Sequence, residues 1–150
     1  MKLRSSRRGK KGVRRKEEGV RKKTKMKDSK ADRAYGNDLS RRTLEFAIRL
    51  IALVDALPKS RAADVIGSQL LRSGTSIGAN YREAQRAESR DDFIHKTAIS
   101  SKEAAETEYW LELISQTKQL ASNDAEKLLI ECRELIAILL SIGKKAKANK

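Results

Sequence analysis

From Asn37 to Gly143 the apolar residues recur at steps of three and four, the spacing that places side chains on one face of an α-helix. The first set is Leu39, Leu44, Phe46, Ala47, Ile48, Leu50, Ile51, Leu53, Val54 and Leu57. Asn37 or Asp38 can cap its start, and Pro58, which has no N–H to donate, stops it. A second set follows Ser60 as N-cap: Gly67, Leu70, Leu71, Gly74, Ile77, Gly78 and Tyr81, with the pattern continuing through Asn80, Arg82, Glu83 and Ala84 to about Ala87. Three positions of that stripe are glycine, each costing about 1 kcal/mol against alanine in a helix. The expected return is close approach of a neighbouring helix.

Ser89 followed by Asp92 resembles a capping box with Asp in the Glu position. It predicts a third helix from about Arg90 to Leu120. One stripe of that helix is Phe93, Thr97, Ser100, Ala104, Thr107, Leu111 and Ile114; beside it run Ile99, Glu103, Glu106, Trp110 and Leu113. Trp110 is expected to be largely buried, within the protomer or between protomers. Ser122 or Asn123 caps a fourth helix, with Asp124 and Glu126 favourable in its first turn. Its stripe is Leu128, Cys132, Leu135, Leu139 and Ile142, flanked by Leu129, Ile136 and Leu140. Gly143 is expected to end it. Four amphipathic helices joined by short loops lie antiparallel to their neighbours, so the pattern predicts an all-α, up-down antiparallel four-helix bundle over residues 37–143.

The ends of the chain read differently. Up to about residue 33 there is no aromatic residue, and the large apolar ones are Met1, Leu3, Val13, Val20 and Met26. Too little apolar surface is present to offset the entropy of ordering, so residues 1–36 are expected to form a disordered basic tail, with a second basic tail over 144–150. Charge sharpens this division. The chain of 150 residues carries 34 Lys and Arg against 20 Asp and Glu, a net of +14. Residues 1–33 hold +12 of it, residues 34–143 hold −2, and residues 144–150 hold +4. The longest apolar run, Leu135 to Leu140, is far short of the roughly 20 residues of a membrane span, and the N-terminus has no apolar signal-peptide core. A lone cysteine, Cys132, fits a reducing, cytoplasmic compartment.

Candidate chemistry is sparse. Gly74-Thr75-Ser76-Ile77-Gly78 has too short a gap, and no following Lys-Ser/Thr, to be a phosphate loop; small residues for helix packing is the stronger reading. A di-metal carboxylate bundle needs two Glu-x-x-His pairs, and this chain has one histidine, His95, in Asp92-x-x-His95. Neither a metal, a cofactor nor catalysis is expected. Cys132 lies on an apolar stripe and reads as a buried structural thiol. Glu103 and Glu106 share a face with Trp110, either as ordinary surface pairs or as a polar network with Arg72, Asn80 or Lys102. The N-terminal basic residues form the strongest signal: Arg4, Arg7, Arg8, Lys10, Lys11, Arg14, Arg15, Lys16, Arg21, Lys22 and Lys23. Such density exceeds what solubility requires and points to nucleic acid, bound by phosphate neutralisation. Without aromatic residues for base stacking, little sequence preference is expected. No apolar helix face accompanies the charge, which disfavours a membrane surface; an organellar transit peptide is a minor alternative. A secondary contact is expected around the turn between the second and third helices, at Arg82, Arg86, Arg90 and Lys96.

Three stretches carry a resemblance. They are Gln69-Leu70-Leu71-Arg72-Ser73-Gly74-Thr75-Ser76-Ile77-Gly78-Ala79-Asn80-Tyr81-Arg82-Glu83-Ala84, then Asp92-Phe93-Ile94-His95-Lys96, then Lys102-Glu103-Ala104-Ala105-Glu106-Thr107-Glu108-Tyr109-Trp110-Leu111. In this order and spacing, over about residues 38–143, the chain resembles the bacterial four-helix-bundle family encoded in intervening sequences of 23S ribosomal RNA genes. That family also includes the accessory variability determinant of diversity-generating retroelements. The resemblance implies a homopentamer of basic protomers without enzyme activity, partnered in retroelements by a reverse transcriptase and nucleic acid. Two departures stand out: Gly78 replaces a proline common in relatives, and the bundle is near neutral, its positive charge having moved to the ends. The expectation is a non-catalytic, oligomeric, cytoplasmic accessory protein that binds RNA or DNA, with a protein–protein adaptor as the alternative.

Overall fold

The computed structural model describes residues 35–118, 120 and 123–148. From Leu39 onward the described residues form one compact unit. The tail expected over residues 1–36 lies outside the described residues, except for 35 and 36, which are helical.

Among the described residues four helices follow one another: α1 over 35–55, α2 over Arg61–Ala84, α3 over Arg90–Gln116 and α4 over Asp124–Ala148. Asn37 and Asp38 sit inside α1 and do not cap it, so the helix starts earlier than their side chains suggested. Ser60 and Ser89 act as read from sequence. Ser60 Oγ accepts from the Ala63 N–H at 3.1 Å, and Ser89 Oγ accepts from the Asp92 N–H at 3.1 Å. The return bond of the capping box reaches one residue further back, from the Glu88 N–H to Asp92 at 3.4 Å. Helix α3 stops at Gln116, short of Leu120, because Lys118 takes the left-handed conformation with φ 50°, which terminates α-helices. Ser122 lies outside the described residues. Gly143 does not end α4: no described glycine has positive φ, and the helix carries Lys144, Lys145 and Lys147 on to Ala148. The basic stretch expected as a C-terminal tail is therefore helical over 144–148.

Cross-helix contacts show the antiparallel order. Thr43, Leu50 and Val54 of α1 meet Gly78, Gly74 and Gly67 of α2 in reverse register. Ser100 Oγ of α3 donates to the Ile77 carbonyl of α2 at 2.8 Å, and Cys132 Sγ of α4 donates to the Ala104 carbonyl of α3 at 3.2 Å. Arg42 of α1 pairs with Glu131 and Glu134 of α4. Phe46, Leu50, Leu70, Ile77, Leu111, Ile114, Leu128, Leu135 and Leu139 fill the space between the helices. At about 25 cal/mol per Å² of apolar area removed from water, such residues supply most of the driving force.

The glycines explain the α1–α2 contact. A Cβ at Gly67 would lie 2.9 Å from Val54 Cγ1, one at Gly78 would lie 3.0 Å from Thr43 Oγ1, and one at Gly74 would overlap Leu50 Cδ1. Leu50 is fully buried and has no solvent to swing into. Gly74→Ala is therefore expected to destabilise by about 1–3 kcal/mol, the usual range for an overpacked core. Gly143→Ala, with nothing within 4 Å of the added methyl, is expected to stabilise by roughly 0.5–1 kcal/mol. Urea denaturation of both variants checks this pair, and shifts of the same sign would refute it.

Candidate functional site

The structure brings four of the six residues read as a polar network to one place. Arg72 projects from α2 towards α3, where Glu103, Glu106 and Trp110 follow one another at helical spacing. One guanidinium nitrogen of Arg72 donates to Glu106 Oε1, and another lies 3.7 Å from Glu103 Oε2. The Trp110 indole N–H donates to the same Glu106 oxygen at 3.3 Å. The Tyr109 and Trp110 rings meet edge to face, with centroids 4.9 Å apart. Asn80 is not a member: its amide donates to the Ser76 carbonyl one turn back, at 2.8 Å. Lys102 is exposed, one turn before Glu106 on α3. Trp110 itself is half-buried in the single chain.

The electrostatics follow from these contacts. The Arg72 hydrogen bond, helped by the Trp110 N–H, holds the Glu106 carboxyl below its ordinary value, and Glu106 in turn raises Arg72. Glu103 Oε2 is buried without a hydrogen-bond partner among the described residues, with the Arg72 charge 3.7 Å away as compensation. Beneath the network, Thr107 Oγ1 lies 3.0 Å from Ser73 Oγ and 2.7 Å from the Glu103 carbonyl oxygen.

The basic residues divide into three groups. Arg4, Arg7, Arg8, Lys10, Lys11, Arg14, Arg15, Lys16, Arg21, Lys22 and Lys23 lie outside the described residues. Arg82 and Arg86 are exposed at the end of α2 and in the turn after it. Arg90 and Lys96 also hold structure. Arg90 Nε donates to the Ala146 carbonyl at 2.7 Å, joined by a second guanidinium nitrogen on the same oxygen, and Lys96 Nζ lies 3.1 Å from Asp92. An open groove of about 490 Å³ beside them is lined by Arg90, Asp91, Ile94 and Lys147.

Two ionic clamps escaped the sequence reading. Arg42 spans α1 to α4 and bonds Glu131 at 2.6 and 2.9 Å. The contact holds the Glu131 carboxyl below its ordinary value. Arg133 spans α4 to α3, with Glu108 at 2.7 Å and Glu112 at 2.5 Å. The available signal was the i,i+3 and i,i+4 spacing of these glutamates, which sets each pair on one helix face. Cys132 is buried, and that burial pushes its thiol up to about 12; a thiol so placed is chemically inert. Among the described residues no three His, Cys, Asp or Glu side chains cluster as metal ligands, and His95 is exposed.

One surface is apolar. Leu44, Ile48 and Ile51 on the outer face of α1 are 46%, 57% and 46% exposed, at the i, i+4, i+7 spacing of a single stripe.

Comparison with known proteins gives a family and solved relatives. The family model described as 23S rRNA-intervening sequence protein matches residues 37–141. A crystal structure of a protein with unknown function from the S23 ribosomal protein family of Bacteroides thetaiotaomicron VPI-5482 is 45% identical, with a TM-score of 0.67. The match covers 73% of this chain and 97% of that one. No curated protein matches.

The Glu106 contacts generate a pH prediction. A carboxyl whose value is lowered on folding stabilises the fold above its ordinary value of 4.5 and loses that contribution as pH falls through the lower, folded value. Trp110, the only tryptophan in the chain, reports the event directly. Its fluorescence is expected to titrate with a midpoint below 4.5, Arg72→Ala to raise that midpoint, and Glu106→Gln to abolish the transition. An Arg72→Ala midpoint equal to the wild type would break the assignment.

Proposed function

The chain belongs to the 23S rRNA-intervening sequence protein family, and on that premise we propose that it is a non-catalytic, oligomeric, cytoplasmic accessory protein that binds nucleic acid. The observation that carries this reading is the charge distribution: +12 over residues 1–33 beside −2 over residues 34–143. A polycation of that density gains free energy by displacing the counterions condensed on a phosphate backbone, and the gain is insensitive to sequence. RNA and DNA are both substrates for this mode. A reverse transcriptase is a further partner that the family resemblance adds.

Self-association is the second part of the proposal. The Leu44, Ile48 and Ile51 stripe offers apolar surface that the single chain leaves in water, and such contiguous surface favours a protein contact. The resemblance sets the copy number at five. A cyclic assembly repeats each basic segment around the ring, and linked segments raise one another's effective concentration on a shared polyanion. The adaptor reading rests on the same apolar stripe and differs in lacking nucleic-acid affinity.

Two outcomes are expected. In light scattering the wild type should exceed its 16.8 kDa chain mass, and Ile48→Glu should shift it towards the monomer; a monomeric wild type would remove the oligomer. In a salt titration against duplex DNA, log K should fall with log salt by about 0.9 per phosphate contact. Deleting residues 1–33 should abolish most binding at physiological salt. An unchanged slope and affinity after deletion would show that the N-terminal segment is not the binding element.

A further inference from the structure

Four helices in up-down order bring opposite termini together. The end at which α2 finishes and α3 begins is also where α4 finishes, since Arg90 at the start of α3 bonds the Ala146 carbonyl of α4. The unit Leu39–Lys150 begins there too: Ser40 near its start donates to the Gln85 side chain, the C-cap of α2, at 2.7 Å. One end of the bundle therefore carries Arg82 and Arg86 from the α2–α3 connection, Arg90 from α3, and Lys144, Lys145 and Lys147 from the last turns of α4. Glu83, Glu88 and Asp91 oppose them, while Asp92 is paired with Lys96, so the balance at this end is positive even though the bundle sequence is near neutral.

The form of the lysines matters. They extend a helix past Gly143, and the Arg90 bond to Ala146 fixes the last turn of that helix against α3. Charges held on ordered backbone lose less entropy on meeting a ligand than charges on a free chain. The groove between them is lined by two cations, Arg90 and Lys147, one acid, Asp91, and the apolar Ile94. Its open shape admits a ribbon of backbone, and its chemistry suits phosphodiesters.

We propose that this end of the bundle, Arg82 and Arg86 with the helical Lys144, Lys145 and Lys147 steered by Arg90, is a built phosphodiester-contacting surface, a second nucleic-acid element besides the N-terminal segment. It rests on the nucleic-acid reading above and deepens it. Arg90 acts as a positioning residue, through the helix end that it holds.

The test uses the full chain and a short duplex DNA. Lys144→Gln, Lys145→Gln and Lys147→Gln are combined, and the slope of log K against log salt is compared with wild type. Three lost contacts are expected to flatten the slope by roughly 2–3 units and to weaken binding at least tenfold. A mass-spectrometric lysine-acetylation footprint gives a second readout, in which the three lysines of the wild type become protected by DNA. Arg90→Ala should reduce that protection with all three lysines still present, and Arg90→Lys should restore part of it. If wild type binds DNA while the triple variant keeps its slope and the lysines stay unprotected, this surface is refuted and the nucleic-acid reading survives. If wild type does not bind DNA, both fall.

Discussion

The contact between α1 and α2 sets the geometry on which the other helices build. Its closeness comes from atoms that are missing: at Gly67, Gly74 and Gly78 a Cβ would collide with, or crowd, Val54, Leu50 and Thr43. Each glycine weakens α2 as a helix by about 1 kcal/mol. The fold recovers this by letting Leu50 reach across the axis of its neighbour into full burial. A Cβ at Gly74 would also lie 3.6 Å from Thr107 Cγ2, so α3 closes on the same point.

Small polar residues continue the close packing between α2 and α3. Ser73, Thr97, Ser100 and Thr107 are all buried. Ser100 bonds the Ile77 carbonyl on the facing helix, while Ser73 bonds the Gln69 carbonyl within its own. A hydroxyl that returns its hydrogen bond to backbone removes the cost of its own burial, and its small size keeps the helix axes close. Thr97 Oγ1 is the exception, buried without a partner. This polar seam gives α3 a weakly amphipathic pattern: its inward stripe mixes Thr, Ser and Ala with Leu111 and Ile114.

Charge is arranged around this core in two ways. Along the bundle sides, Arg42, Arg72 and Arg133 each pair with two glutamates and so bridge two helices, which sets three bases against six acids there. At the end shared by the α2–α3 connection and the α4 terminus, the cations outnumber the acids. The clamped flanks and the cationic end are thus separate surfaces of one small fold.

The helices, their order and their facing stripes were legible in the sequence, because periodicity and the local caps Ser60 and Ser89 act within a few residues of themselves. So were the glycine stripe on α2 and the shared face of Glu103, Glu106 and Trp110; the sequence leaves their partner open among Arg72, Asn80 and Lys102. Local signals misled at the ends. Asn37 and Asp38 looked like caps and lie within a helix; Gly143 looked like a stop and is passed through, since a glycine ends a helix only where the backbone turns left-handed. Beyond Gly143 the end of α4 is held by Arg90, which bonds the Ala146 carbonyl from 56 residues earlier in the chain. No periodicity encodes that bond: it exists because antiparallel packing delivers the start of one helix to the end of another. The sequence determined which residues could be helical and which face each helix buries, through local propensity and hydrophobic spacing. Only the tertiary structure decided where the charges meet, because that depends on distances between segments that the chain itself keeps far apart.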